Sequence, residues 1–153
     1  MSIGFLILSV LIRIIAITVA LWDFVYIQGM VFQFDLLESL GLVVVLAGFS
    51  IRNIARKTLG NYFLNGIKFL RKHELVKHGI YRYIRHPIYL GAILLNLGII
   101  PLFSSPLGFI VMLGYIPCVL YRIQLEEKML IERFGKEYRD YIKKTKKIIP
   151  MIY

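Results

Sequence analysis

Arg122, Glu126 and Glu127 lie where the last long apolar segment of the chain gives way to charged sequence. A spacing of four residues places Arg122 and Glu126 on one face of a helix. A carboxylate can bind an ammonium group and a guanidinium can bind a carboxylate, so this group suits a zwitterionic ligand beside an anionic one. The alternative is an ordinary ion pair at a helix end, which would contribute about 0 to 1 kcal/mol to stability.

A second chemically rich group lies in the stretch GIYRYIRHPIYLG, residues 79–91. Pro87 is favoured at the first position of a helix because its missing N–H would be unpaired there anyway, which makes His86 the cap. The backbone N–H groups after His86 and the positive end of the helix dipole favour a carboxylate or a phosphate. The alternative is a belt of tyrosine and arginine at a membrane surface. Three tyrosines add flat faces and hydroxyl groups: Tyr81, Tyr83 and Tyr89.

The elements that position these groups are apolar. Of the 153 residues, 58% are hydrophobic and 18% are charged, which is more apolar surface than a soluble domain of this size can bury. The sequence therefore predicts an all-α fold, an integral-membrane helical bundle that forms a single membrane domain over residues 1–153. Since a helix needs about 20 residues to cross about 30 Å of hydrocarbon, we expect about four transmembrane helices. Their predicted spans are 3–22, 36–55, 87–103 and 107–121.

Two further features refine this bundle. Ser104, Ser105 and Pro106 separate the third span from the fourth, which predicts a tight helical hairpin. The fourth helix is expected to continue beyond the membrane through LEEKMLIERFG, where apolar residues recur at roughly helical spacing.

The distribution of basic residues predicts the topology. The net charge is +10, and of the 19 Lys and Arg, nine lie between residues 52 and 85 and nine between 122 and 147. Two basic blocks separated by apolar sequence indicate cytoplasmic segments that face anionic membrane lipids, and they argue against nucleic acid as the partner. The 23–35 connection has two Asp and no base. Both termini, the 56–86 loop and the helical tail 122–153 are therefore expected to be cytoplasmic.

Arg13 and Cys118 lie within predicted spans. An arginine near the middle of a span costs at least about 2.5 kcal/mol if it faces lipid, so we expect Arg13 to point into the bundle or toward a wet cavity. The alternative is a side chain that extends to the interface. Cys118 is the only cysteine, which excludes an intramolecular disulfide and a cysteine-based zinc site, and no metal site is predicted.

The runs HELVKHGIYRYIRHPIYLG (73–91) and RIQLEEKMLIERFGKEYRDYIKK (122–144), separated by the hairpin, resemble the isoprenylcysteine carboxyl methyltransferase family. These integral-membrane enzymes, related to the phospholipid methyltransferases, use S-adenosylmethionine. The resemblance covers roughly the C-terminal half and implies that Arg122 orients a substrate carboxylate. It implies that Glu126 binds the amino group of the cofactor. The full set of implied cofactor-binding residues has ten members: His73, Glu74, Leu75, Val76, Tyr81, His86, Pro87, Ile88, Tyr89 and Glu126.

Three features of the sequence match the family pattern less closely. Glu127 completes an acidic pair and is counted with the cofactor residues. The chain is shorter than many members of the family, in which a further N-terminal span is found. Gly66 stands where a polar side chain is expected.

The resemblance implies methyl transfer to the carboxylate of a lipophilic, isoprenylcysteine-like acceptor at the membrane interface. A carboxylate has an unperturbed pKa of about 3 to 4, so it needs no general base and the site has only to align the reactants. One alternative is an ethanolamine phospholipid N-methyltransferase, in which Glu127 would accept the proton of the amine. Others are an NADPH-dependent membrane sterol-type reductase and a structural or transport bundle. Against the transporter, the first half of the chain does not repeat the motif.

Overall fold

The computed structural model describes residues 3–32, 34–60 and 75–148, so that His73, Glu74 and Gly66 lie outside it. The described residues form no β-strand. Two 3₁₀ turns, Gly79–Arg82 and Pro101–Phe103, precede and follow the third α-helix. The α-helices are α1 (Ile3–Tyr26), α2 (Leu36–Leu59), α3 (Pro87–Ile99), α4 (Pro106–Leu113), α5 (Tyr115–Phe134) and α6 (Lys136–Lys144).

Three helices in the described part of the chain are long and apolar enough to cross a membrane: Gly4–Tyr26, Leu36–Leu59 and Pro106–Phe134. The helical segment Pro87–Phe103 is apolar but shorter. Helices occupy all four predicted spans, whereas the number of membrane crossings, and above all a crossing by the third span, 87–103, stays a prediction. Helix α2 continues beyond residue 55, where its predicted span ends. Arg56 and Lys57 lie in its last turn, and their positive charges interact favourably with the negative end of the helix dipole. It ends at Gly60, whose N–H donates to the Arg56 carbonyl.

The predicted hairpin and the predicted extension of the last membrane helix are both confirmed. Ser104 adopts a left-handed conformation (φ 41°), and the Ser105 hydroxyl caps α4 by accepting a hydrogen bond of 3.0 Å from the Gly108 N–H. Helices α4 and α5 form one apolar rod of 29 residues. It is interrupted at Gly114 because Pro117 cannot donate to the carbonyl of Leu113.

Pairs of glycines bring α2 and α3 into backbone contact. A Cβ atom added at Gly48 would lie 2.9 Å from the Gly91 carbonyl oxygen, and one added at Gly41 would lie 2.9 Å from that of Gly98. The glycines are seven residues apart in each helix, so both pairs lie on one face, two turns apart. This contact fixes α3, and with it His86 and Pro87 at its start.

The segment after α6 lies beside the residues that lead into α3. Ile84 and Lys146 form a parallel β-bridge. The Arg85 N–H donates to the Lys146 carbonyl at 2.8 Å, and the His86 N–H donates to the Lys147 carbonyl at 3.1 Å. The tail therefore supports the predicted site, an arrangement that the sequence did not indicate.

Candidate active site

Eight of the predicted site residues line one cavity of about 790 Å³ between α1, α2, α3, α5, α6 and the loop before α3. Pro87 and Glu127, although described, do not line it. Both halves of the predicted site therefore meet, with residues of the 75–91 stretch on one wall and α5 on another. The predicted residues on its walls are Leu75, Val76, Tyr81, His86, Ile88, Tyr89, Arg122 and Glu126.

Tyr89 bridges Arg122 and Glu126. Its hydroxyl donates to Glu126 Oε2 at 2.6 Å and accepts from Arg122 Nε at 3.0 Å. The Arg122 guanidinium carbon also lies 5.8 Å from the centre of the Tyr89 ring. No ion pair joins Arg122 directly to Glu126 in the part of the chain that the structure describes, so the two side chains are not an ordinary i,i+4 pair. An aromatic hydroxyl holds the carboxylate and the guanidinium apart on the cavity wall.

His86 occupies the predicted cap position. Its carbonyl accepts hydrogen bonds of 3.1 Å from the N–H groups of Tyr89 and Leu90. Its ring is 3% exposed and makes no capping hydrogen bond to the helix, because Nε2 lies 3.3 Å from Glu127 Oε1. The ring thus closes the cavity wall and contacts the acid behind it. Anion binding by the start of α3 stays a prediction.

Glu127 lies at the centre of a network that contains two cationic side chains and the His86 imidazole. Arg85 Nε donates to its Oε1 at 2.8 Å, His86 lies on the same oxygen, and Lys147 Nζ is 3.5 Å from its Oε2. Arg85 also donates to the carbonyls of Ile142 and Thr145. These contacts join α5 to the loop before α3 and to the tail. A direct contact of Glu127 with the cofactor stays a prediction.

Replacing Glu127 with Gln is expected to destabilise the protein by roughly 3 kcal/mol, because Arg85 and Lys147 would lose their shared counter-charge. Arg85 is only 7% exposed, so water cannot replace the lost carboxylate. Thermal unfolding in detergent measures the effect. The matched control is Glu137→Gln, whose ion pair with Lys77 is solvent-exposed and should contribute about 0 to 1 kcal/mol. Equal shifts in the two variants would contradict the prediction.

Three buried tyrosines form the wall on the side of α6 and the loop: Tyr81, Tyr138 and Tyr141. The Tyr141 hydroxyl donates to the Tyr81 carbonyl at 2.6 Å. Burial raises the pKa of Tyr141 to about 12 and raises the pKa values of Tyr81 and Tyr138 as well. All three hydroxyls are therefore protonated at neutral pH and can act as hydrogen-bond donors.

Two arginines from the first two helices line the same cavity. Arg13 Nε donates to the Ser9 carbonyl at 3.0 Å, and its guanidinium carbon lies 5.3 Å from the centre of the Tyr115 ring. The prediction that Arg13 points into the bundle is confirmed. Arg52 Nε is buried with no hydrogen-bond partner among the described residues. In the sequence Arg52 belongs to a basic block, and its place near the end of the predicted span 36–55 is a weaker signal for a cavity residue than that of Arg13 near the middle of a span.

Comparison with known proteins identifies relatives of this chain. The model of the isoprenylcysteine carboxyl methyltransferase (ICMT) family matches residues 40–132. A protein-S-isoprenylcysteine O-methyltransferase of Saccharomyces cerevisiae is 38% identical over 120 residues, which cover 74% of this chain and 48% of the relative. A probable protein-S-isoprenylcysteine O-methyltransferase of Oryza sativa subsp. japonica is 34% identical over 127 residues, which cover 78% of this chain and 64% of the relative.

A solved structure is similar over nearly the whole chain. It is that of the eukaryotic intramembrane Ras methyltransferase ICMT, with a TM-score of 0.79 and 27% identity, covering 94% of this chain and 52% of the other. The chain thus spans about half to two thirds of the length of the relatives it matches. The family match extends from α2 through most of α5 and includes Tyr89, Arg122 and Glu126. Because it covers more than half of the sequence, the chain belongs to the isoprenylcysteine carboxyl methyltransferase family.

Proposed function

We propose that this protein is an S-adenosylmethionine-dependent methyltransferase that acts on the carboxylate of a lipophilic, isoprenylcysteine-like acceptor at the membrane interface. The observation that carries the proposal is the Tyr89 hydroxyl, which holds Glu126 and Arg122 on the wall of one cavity. An acid for the cofactor's ammonium and a guanidinium for the acceptor's carboxylate thus lie side by side. Family membership supports methyl transfer.

The residues present fit the cofactor. A cavity of about 790 Å³ is within the usual range for small-molecule sites, roughly 300 to 1,000 Å³. Glu126 supplies a charge for the amino group of the methionine part, and Leu75 and Val76 supply apolar surface for the nucleoside part. His73 and Glu74, also predicted to bind it, lie outside the described residues. When bound, the cofactor supplies a methyl group on a sulfonium.

The charges on the cavity wall favour an anionic acceptor. Arg13, Arg52 and Arg122 reach the cavity from α1, α2 and α5. An ammonium acceptor beside these arginines would be repelled, whereas a carboxylate acceptor would be attracted, and the ammonium of the cofactor would instead lie beside Glu126. An ethanolamine acceptor would also need a base, and both oxygens of Glu127 already contact cationic groups. This arrangement disfavours the phospholipid N-methyltransferase alternative.

Alignment is the main contribution of the protein to the reaction. Arg122 would hold the acceptor carboxylate through a planar fork of donors, and Glu126 would hold the ammonium group of the cofactor, so that both reactants are oriented in one cavity. The bound cofactor would supply the methyl group and would itself become a neutral thioether. Because the carboxylate is already ionised, no side chain has to accept a proton. Such positioning can contribute roughly 7 to 11 kcal/mol.

Calorimetry on detergent-purified protein tests the cofactor, comparing S-adenosylhomocysteine with NADPH. We expect binding of the first alone, and binding of NADPH alone would establish the reductase alternative. Transfer of a labelled methyl group to farnesylcysteine, compared with phosphatidylethanolamine, then tests the acceptor. Methylation of the amine alone would overturn the proposed acceptor.

We also propose one membrane domain with both termini and the site on the cytoplasmic side, because the basic segments flank the helices. Reporter fusions after Lys147 and at Asp23 are expected to report opposite sides of the membrane. Location of the two reporters on the same side would contradict this topology.

Replacing Arg13 with Leu is expected to lower stability or methyl transfer measurably, since the guanidinium contacts the Ser9 carbonyl and the Tyr115 ring inside the cavity. Thermal unfolding and transfer to farnesylcysteine measure the two effects. The control is Leu11→Ile on the exposed face of α1, for which neither should change appreciably. A fully active and more stable Arg13→Leu protein would show that the arginine serves no purpose in the cavity.

A further inference from the structure

Tyr138, on α6, is the most deeply buried of the tyrosines on the cavity wall. It is 1% exposed, its ring centre lies 5.8 Å from that of Tyr141, and it lines the cavity. Its hydroxyl oxygen is buried and has no hydrogen-bond partner within residues 3–32, 34–60 and 75–148. The neighbouring Tyr141 differs, because its hydroxyl donates to the Tyr81 carbonyl.

An unpaired hydroxyl at this place is unfavourable for folding alone. A buried polar group without a partner destabilises the folded protein, and phenylalanine would fill the same space without that cost. Burial raises the pKa of Tyr138, so the hydroxyl carries its proton and can donate a hydrogen bond. A ligand acceptor atom in the cavity would satisfy it.

We propose that the Tyr138 hydroxyl is a binding group for the nucleoside part of the cofactor and donates a hydrogen bond to a ribose oxygen or a ring nitrogen. This inference rests on the proposed function. The neighbours of Tyr138 on the cavity wall support the nucleoside part. Tyr138 packs on Tyr141, whose hydroxyl donates to the Tyr81 carbonyl in the loop that also supplies Leu75 and Val76.

Three conservative variants separate binding from folding: Tyr138→Phe, Tyr141→Phe and Tyr83→Phe. The hydroxyl of Tyr141 is satisfied within the protein, so its loss should lower the melting temperature. Tyr83 is 64% exposed and does not line the cavity, so its replacement should change neither stability nor affinity. Tyr138→Phe should leave the melting temperature of ligand-free protein unchanged or raise it.

Calorimetry of these proteins with S-adenosylhomocysteine and with 5′-methylthioadenosine, which lacks the amino acid part, tests the ligand contact. We expect Tyr138→Phe to lower the affinity for both ligands by roughly threefold to tenfold, which corresponds to the loss of one neutral hydrogen bond. Equal weakening of both would place the contact on the nucleoside.

Three results would overturn the inference. Unchanged affinity in Tyr138→Phe would mean that water or nothing satisfies the hydroxyl. A melting temperature lowered as far as in Tyr141→Phe would mean that the hydroxyl has a partner in the fold. A lower affinity for S-adenosylhomocysteine alone would mean that the hydroxyl contacts the amino acid part of the ligand. Failure of unmodified protein to bind either nucleoside would instead refute the proposed cofactor, so the two failures are distinct.

Discussion

Replacing Glu126 with Gln is expected to weaken S-adenosylhomocysteine binding by roughly tenfold to a hundredfold. The substitution keeps the size of the side chain and removes the charge that would bind the ligand's ammonium group, a contact of about 1.5 to 3 kcal/mol. The Tyr89 hydroxyl can still donate to the amide oxygen, so the wall of the cavity should keep its shape. Calorimetry measures the affinity, and thermal unfolding should show little change.

Arg122→Lys provides the contrasting result. It keeps the charge but loses the guanidinium fork, so cofactor affinity should stay nearly intact while methyl transfer to farnesylcysteine falls by about tenfold or more. Matched controls lie on the exposed side of α6: Glu137→Gln and Arg139→Lys, for which we expect neither effect. Equal, small effects of Glu126→Gln and Arg122→Lys on both binding and turnover would show that these residues are structural and that the active site lies elsewhere.

The second large effect is expected at Gly91, where valine should destabilise the protein by about 3 kcal/mol or prevent folding. A Cβ atom there would lie 2.7 Å from the Gly48 carbonyl oxygen and 2.9 Å from the Arg52 backbone nitrogen. Both obstacles are backbone atoms of α2, so the helices must separate. Separation would also displace the start of α3, and with it Tyr89.

Yield and melting temperature in detergent measure the effect of Gly91→Val. Gly4→Val is the matched control, because a Cβ atom at Gly4 meets no other atom within 4 Å. Similar behaviour of the two variants would mean that the contact between α2 and α3 has room for a side chain.

Helix positions were predictable from the sequence because they depend on local properties. The length of each apolar run, the serine–proline hairpin and the Pro87 start of α3 each act within a few residues. The exact ends were less predictable: the first span was predicted to end at residue 22, whereas the helix continues to Tyr26. A charge near a membrane surface does not break a helix.

The partners of the site side chains were not predictable, because they are distant in the sequence. Spacing alone suggested a direct pair of Arg122 with Glu126, but Tyr89, which lies 33 residues before Arg122, stands between them. Glu127 was assigned from a motif, whereas its network joins it to Arg85, 42 residues before it. Side-chain direction decides these contacts, and it depends on how the helices pack.

The parallel bridge between Ile84 and Lys146 determines when the site can be completed during biosynthesis. A ribosome makes residues 83–86 well before residues 145–148, so α3 and the rod of α4 and α5 can enter the membrane while the loop before α3 lacks its second chain. During that interval Arg85 has neither the Thr145 carbonyl nor, at first, the Glu127 carboxylate. Completion of the contacts around Arg85 therefore depends on residues made after the last apolar helix.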